Sequence, residues 1–127
     1  MFDNFCFKLL RLVMAGVNKV KWKITYYNES VSEGIEKWPV KIRAKYLYIV
    51  KLIQEHGPNL GAPHTEPMGD GLFEIRARGK EGIARAFFCT IVGKEIIILH
   101  EIVKKTQKTP KNELKIARDR LREVKNE

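Results

Sequence analysis

The residues that could do chemistry in this sequence are cations, and they are concentrated between positions 76 and 108. They are Arg76, Arg78, Arg85, His100, Lys104, Lys105 and Lys108. Guanidinium and ammonium groups stabilise the negative charge that develops on a phosphate in a transition state. A histidine or lysine can also transfer protons when neighbouring charges shift its pKa towards neutrality. If these side chains converge, they suit cleavage of RNA without a metal ion, in which the 2′-hydroxyl loses a proton and the 5′ oxygen leaves.

Each of these candidates also has a purely structural interpretation. Arg76 and Arg85 could be salt-bridge residues on neighbouring strands. Lys104 and Lys105 could be a solvated turn before a helix. His100 could be a packed or partly exposed histidine at the end of a strand. The residues alone leave these alternatives open.

The first of three predicted strands carries two of the arginines and runs from Gly71 to Arg78. Its residues alternate between apolar and charged, so one face should be buried and the other should face solvent. Arg76 and Arg78 share the solvent side with Glu74, which could orient an arginine or only balance charge. The glycine-flanked turn that follows contains Lys80, a further candidate for RNA binding.

Two more strands complete this segment. Ile83 to Val92 is the second, and Gly93-Lys94 after it, with the glycine first, is typical of a two-residue hairpin with a type II′ turn. The third, Glu95 to Ile102, is apolar on both faces and should therefore be a central strand. It ends beside the basic run, so the sheet would deliver His100 and the lysines to one place.

An edge strand and helices are predicted around this sheet. Lys21 to Tyr27 alternates and predicts an edge strand with one face in the core. From Asn28 to His56 apolar residues recur at helical spacing, with Ser30 or Ser32 as a first cap and a restart at Pro39. This pattern predicts a helical hairpin or a kinked helix over one face of the sheet.

The remaining segments are a loop, a last helix and an N-terminal extension. Asn59 to Pro67 is rich in Gly and Pro and predicts a loop. Thr109 as a cap before Pro110 opens a last helix whose apolar stripe would bind it to the sheet. Residues 1–18 are interpreted as an extension that is too short and too charged to span a bilayer. Residues 19–127 have the length of one domain.

The composition favours a polyanionic partner. Lys and Arg number 24 against 15 Asp and Glu, which gives a formal charge of +9. Cys6 and Cys89 have no paired spacing and are expected to be core residues in a reducing cytoplasm, so no metal site and no cofactor are predicted. The motifs for nucleotide hydrolysis, zinc catalysis and serine hydrolysis do not occur in the sequence.

Three runs of sequence carry a resemblance to a known family. EHGPNLGAP, GDGLFEIRARGKEGIAR and IIILHEIVKKTQKTP resemble the HigB-like, phage-derived branch of the RelE/ParE toxin superfamily. The resemblance covers roughly Val20 to the C-terminus and is most specific at Lys104 to Pro110, which includes Gln107. Where the family usually has small and aromatic residues after the histidine, this chain has Glu101 and Ile102.

The resemblance implies a RelE-like α+β fold, in which a small twisted, mainly antiparallel sheet has an N-terminal helical hairpin and a C-terminal helix. It implies the toxin of a type II toxin-antitoxin system, a metal-independent and ribosome-dependent mRNA endonuclease (mRNA interferase) that inhibits translation in the cytoplasm. The expected partners are a helix-turn-helix, HigA-like antitoxin and the ribosome with its mRNA, with no membrane. The expected catalytic residues are Arg76, Arg85, His100, Lys104 and Lys105, and the expected RNA-binding residues are Arg78, Lys80, Gln107 and Lys108.

Two other functions remain as alternatives. One is a ParE-like poison of DNA gyrase that acts through protein contacts and cleaves nothing. The other is a non-catalytic RNA-binding module of the same fold. A row of converging cations favours RNA cleavage over gyrase poisoning, because a surface that only docks on a protein would not need them at one point.

Overall fold

The computed structural model describes residues 21–104 and 108–126. In chain order the elements are β1 (Lys23–Tyr26), α1 (Glu29–Glu36), α2 (Val40–His56), β2 (Thr65–Gly69), β3 (Leu72–Gly79), β4 (Gly82–Ile91), β5 (Glu95–Lys104) and α3 (Lys111–Asn126). The predicted α+β class is confirmed, with two helices before the main strands and one after them. The predicted extension, residues 1–18, and Cys6 within it lie outside the described residues.

The five strands form one sheet in the order β1-β5-β4-β3-β2. β1 pairs with β5 in parallel, and the other three pairs are antiparallel. The predicted position of β1 at an edge is therefore confirmed. β5 is interior, as its two apolar faces predict, and β4 is the middle strand.

β2 is a strand that the sequence analysis assigns to a loop. The predicted loop, Asn59 to Pro67, ends in it, and β2 pairs with β3 at the far edge of the sheet. Proline is compatible with an edge strand, because one row of backbone groups there has no partner strand. Asp70 and Gly71 join β2 to β3 with positive φ angles of 57° and 86°, as a type I′ turn requires.

The hairpin between β4 and β5 differs from its prediction. Three residues, Val92 to Lys94, separate the paired residues Ile91 and Glu95. Gly93 and Lys94 both have positive φ, at 92° and 60°. A type II′ turn needs positive φ only at its first central residue, so the predicted turn type is wrong.

The helical hairpin forms where it is predicted, with a different first cap. The side-chain oxygen of Asn28, not that of Ser30 or Ser32, accepts a hydrogen bond of 2.9 Å from the Val31 amide and caps α1. α2 begins directly after Pro39. It ends at His56, and the C-cap residue Gly57 has a φ of 96°, which strongly favours glycine.

The helices lie on opposite faces of the sheet. α1 and α2 cover one face with an apolar cluster that includes Ile42, Tyr46 and Ile98. α3 covers part of the other face, where Ala117 and Leu121 pack with apolar residues of β3, β4 and β5. Cys89 is buried in this second cluster, and burial raises the pKa of its thiol, as expected for a core residue.

Candidate active site

The strand register brings five of the predicted site residues to one face of the sheet, the face that α3 partly covers. Residues that are paired across neighbouring strands lie on the same face, so each row of the register can be followed across β3, β4 and β5. The three rows are Glu74, Phe87 and His100; Arg76, Arg85 and Ile102; and Arg78, Ile83 and Lys104. Arg76 and Arg85 are therefore direct neighbours, as the sequence analysis requires.

Glu74 lies on this face and is fully buried, so its prediction as a solvent-side residue is wrong. Its Oε2 atom is 3.2 Å from Arg76 Nε and 3.5 Å from Arg85 Nη1. Its Oε1 atom has no hydrogen-bond partner in the part of the chain that the structure describes. A carboxylate in this position orients both guanidinium groups, which is one of the two roles that the sequence left open.

Arg85 is buried as well, with 4% of the residue exposed. Its Nη1 atom donates a hydrogen bond of 2.7 Å to the hydroxyl of Thr109, the predicted cap of α3. Burial is the main cause that lowers the pKa of Arg85, and the neighbouring cations Arg76 and Arg78 act in the same direction. The Glu74 carboxylate opposes these effects, because it favours the charged guanidinium.

Arg76 is the more accessible of the two arginines. About a third of its side chain is exposed. Besides Glu74 it contacts Glu66 of β2 through Nη2 at 2.5 Å. Arg76 is therefore a salt-bridge residue in the free protein, and it is also placed where an incoming phosphate could replace the exposed Glu66 carboxylate.

His100 is not at the end of its strand, because β5 continues to Lys104. Its ring stacks on Phe87 with centroids 6.4 Å apart and an interplanar angle of 17°. Its Nε2 atom lies 2.6 Å from Glu113 Oε1 in the first turn of α3. The predicted position at a strand end is wrong, while its proximity to the basic residues follows from the register.

The other predicted residues lie around this cluster. Lys80 is exposed in the turn between β3 and β4. Arg78 is exposed near the end of β3, just before that turn. Lys104 is half-buried in the last position of β5, and Lys108 is exposed just before α3. Lys105 and Gln107 lie outside the described residues, so their positions in the site stay predictions.

The two positions that depart from the family pattern have separate roles on opposite faces. Ile102 is buried beside Arg85 in the cluster under α3. Glu101 lies on the other face, where its Oε1 atom accepts a hydrogen bond of 2.6 Å from the indole of Trp38, between α1 and α2. A side chain at Gly34 would begin 2.1 Å from Glu101 Oε2, so glycine makes room for this carboxylate.

Sequence reasoning missed Glu66, which pairs with Arg76, and Glu113, which pairs with His100. Glu113 is the acidic residue in the first turn of α3. An acid at that position is ordinary, because it interacts favourably with the helix dipole. The sequence therefore contains a signal for Glu113 as a helix-start residue and none for its contact with β5.

The arrangement can hold and neutralise a phosphate group. A guanidinium that is oriented from behind by a buried carboxylate needs little reorganisation when negative charge develops in front of it. The described residues contain no group of three or more His, Cys, Asp or Glu that could hold a metal ion. No helix within 21–104 or 108–126 is both long and apolar enough to cross a membrane.

Comparisons with known proteins place the chain in a family. The profile of the family "Phage derived protein Gp49-like (DUF891)" matches residues 33–122. No curated protein matches the sequence. Among solved structures, a chain of the archaeal RelE-RelB complex from Pyrococcus horikoshii OT3 is similar, with a TM-score of 0.50 and 16% identity over 69% of this chain and 99% of that chain. At that identity the structural likeness bears on the fold alone. The profile covers well over half of the sequence, including β3, β4 and β5, the strands that carry the candidate site. The chain therefore belongs to the phage-derived Gp49-like family and has a RelE-like fold.

Proposed function

We propose that this protein is the toxin of a type II toxin-antitoxin system and that it cleaves mRNA on the ribosome. The observation that carries the proposal is the convergence of Arg76, Arg85, His100 and Lys104 on one face of three paired strands. Membership of a phage-derived family and the RelE-like fold support the same function. We propose further that it is a HigB-like mRNA interferase.

The proposed roles follow from what each side chain can offer. Arg76 and Arg85 stabilise the negative charge that develops on the scissile phosphate. His100 transfers a proton, and Lys104 with Lys105 supplies further positive charge at the end of β5. The residues proposed to bind the RNA backbone around the scissile bond are Arg78, Lys80, Gln107 and Lys108.

A cognate antitoxin is the proposed protein partner. The similar archaeal RelE is described in a complex with RelB. A protein with a formal charge of +9 attracts an acidic partner surface, which would speed its association. We propose a helix-turn-helix antitoxin of the HigA type that neutralises this chain.

The function is tested by inducing the chain in a bacterial host and mapping the 5′ ends of transcripts. New 5′ ends inside translated reading frames are expected. DNA damage with intact transcripts would identify a gyrase poison instead. Growth inhibition without new transcript ends or DNA damage would favour a non-catalytic RNA-binding module.

The contribution of the lysines is tested by the double variant Lys104→Ala with Lys105→Ala. We expect loss of growth inhibition with nearly unchanged thermal stability, because lysines near the surface contribute little to folding and much to phosphate binding. The matched control is Lys41→Ala with Lys45→Ala, since both side chains are exposed on α2 across the sheet. Retained toxicity in a folded Lys104 and Lys105 double variant would remove this pair from the site.

A further inference from the structure

α3 contributes the acidic side chain of Glu113 to the charged face of the sheet, which is the face that carries Arg76, Arg85 and His100. Glu113 contacts His100, and this contact bears on the proton chemistry of the histidine. Glu113 Oε1 lies 2.6 Å from His100 Nε2, within hydrogen-bond distance. Both side chains are mostly buried, with 16% of His100 and 26% of Glu113 exposed. A charged hydrogen bond that is shielded from water in this way is stronger and better oriented than one on an open surface.

Three further contacts keep the His100 imidazole and the start of α3 next to each other. Phe87 stacks on the ring and fixes its plane. Arg120 Nη1 donates a hydrogen bond of 2.7 Å to the carbonyl of Leu99, the residue before His100, and so ties α3 to β5 next to the ring. The hydroxyl of Thr109, just before α3, accepts the hydrogen bond from Arg85. The start of α3 therefore touches both an arginine and the histidine of the candidate site.

The contact decides which ring nitrogen carries the proton. An ionised carboxylate only accepts hydrogen bonds, so a neutral imidazole next to it keeps its proton on Nε2. Nδ1 then holds the free electron pair, and it has no hydrogen bond to any of the described residues. The nitrogen that faces away from Glu113 is therefore the one that can accept a proton.

We propose that Glu113 is a positioning residue that fixes His100 in the Nε2-protonated tautomer and makes Nδ1 the proton acceptor in RNA cleavage. The inference rests on the proposed function. Nδ1 takes the proton of the 2′-hydroxyl, and the 2′ oxygen forms a bond to phosphorus. The bond from phosphorus to the 5′ oxygen breaks, and the departing oxygen keeps the electron pair and takes a proton from water. Glu113 stays ionised and stabilises the imidazolium that forms.

The same contact has a competing interpretation, in which the Glu113 carboxylate blocks the histidine and keeps the site inactive. The two interpretations predict opposite changes when the carboxylate is removed. A positioning carboxylate makes the variant slower, whereas a blocking carboxylate makes it faster. Neither role requires Glu113 to touch RNA, so the affinity for ribosome-bound mRNA should fall in neither case.

The experiment compares the full chain with Glu113→Ala and Glu113→Gln. The matched control is Glu123→Gln, because Glu123 lies on the same helix and contacts the hydroxyl of Tyr27, away from the site. The first measurement is the tautomer of His100 by nitrogen NMR of the ring in mildly alkaline buffer, where imidazoles are neutral. The His100 signals are assigned with His100→Asn. The second is the single-turnover cleavage rate of ribosome-bound mRNA, with the affinity measured separately.

We expect His100 to be Nε2-protonated in the unmodified chain and in Glu123→Gln, and to show a weaker preference for this tautomer in Glu113→Ala. We expect the cleavage rate to fall about 10- to 100-fold in Glu113→Ala and Glu113→Gln, by analogy with the loss found when the carboxylate that orients a metal-bound histidine is removed. A predominantly Nδ1-protonated ring in the unmodified chain overturns the proposal. An unchanged or increased rate in folded Glu113 variants also overturns it, and an increase identifies a blocking contact.

The two measurements separate this inference from the proposed function. If the unmodified chain cleaves no mRNA while His100 is Nε2-protonated through Glu113, the cleavage function fails and the inferred proton acceptor fails with it. If the chain cleaves mRNA and the tautomer does not depend on Glu113, only the inference fails. Growth inhibition and transcript mapping decide the first case without reference to Glu113.

Discussion

The two faces of the sheet are built differently, although the same strands form both. The face under α1 and α2 is covered by a helix of 17 residues, and its buried cluster contains apolar side chains such as Ile75 and Ile98. The face under α3 is apolar only in part. Next to Phe87 and Leu99 it buries Glu74 and Arg85, which carry charge.

The apolar face should contribute most of the folding stability, whereas the charged face holds the candidate functional groups. Burying a charge is costly unless it is paired, so the charged face should contribute less to folding than an apolar face of the same size. Such a cost is common where a protein holds functional groups in place, because the fixed charges are ready for a ligand. Substitutions on each face can test whether the apolar face supplies most of the stability and whether the charged face depends on the ion pairs between its buried side chains.

The largest effect is expected for Ile98→Asp, on the apolar face. Ile98 is fully buried on an interior strand, where a carboxylate would have neither water nor a partner. We expect a loss of at least about 4 kcal/mol in the free energy of unfolding, which is enough to unfold a domain of marginal stability. Circular dichroism during thermal melting measures the effect.

The control for this variant is Val92→Asp, since Val92 is 99% exposed in the turn between β4 and β5. Its free energy of unfolding should change by no more than about 0.5 kcal/mol. A soluble Ile98→Asp protein with a cooperative melting transition like that of the control would show that the apolar face does not depend on this strand.

A smaller effect is expected for Glu74→Ala, on the charged face. The variant leaves Arg85 buried without its carboxylate, and breaking a buried pair in this way costs about 3 kcal/mol. Glu66→Ala is the matched control, because it removes the exposed carboxylate from Arg76 and should cost less than about 1 kcal/mol. Chemical denaturation measures both. Equal losses for the two variants would mean that Glu74 does not hold the arginines.

The smallest effect concerns a pair of tyrosines inside the apolar face. The hydroxyl groups of Tyr26 and Tyr46 are 3.0 Å apart, and burial of Tyr46 is the main cause that raises its pKa well above 10.0. The folded state therefore keeps the proton that an unfolded tyrosine loses, so stability falls as the pH rises above 10.0.

Tyr46→Phe tests this dependence. It should weaken the loss of stability above that pH by up to about 1.4 kcal/mol per pH unit, the value for one proton. The change is measured as the difference between the two proteins in denaturation experiments across the alkaline range. Parallel pH dependences would show that Tyr46 ionises as easily in the folded state as in the unfolded state.

Local patterns in the sequence determined most of the secondary structure and the strands on which the candidate site residues lie. The alternation along β3 placed Arg76 and Arg78 on one side, and the glycine turns placed Arg85 on the adjacent strand. Pro39 and Gly57 marked the ends of α2, because proline suits a first helical turn and a positive φ suits glycine. These signals are local, since they depend on the backbone preferences of a few neighbouring residues.

Only the tertiary structure decided which charges are buried and what they contact. That α3 covers the face opposite to α1 and α2 cannot be inferred from its apolar stripe, which would fit either face. The burial of Glu74 and the contact between His100 and Glu113 follow from that placement and from the register of β5 on β4. β2 was missed because its short, proline-containing segment is a strand only through its pairing with β3. Contacts between distant segments are absent from local patterns, because they depend on how the whole chain packs to bury its apolar surface.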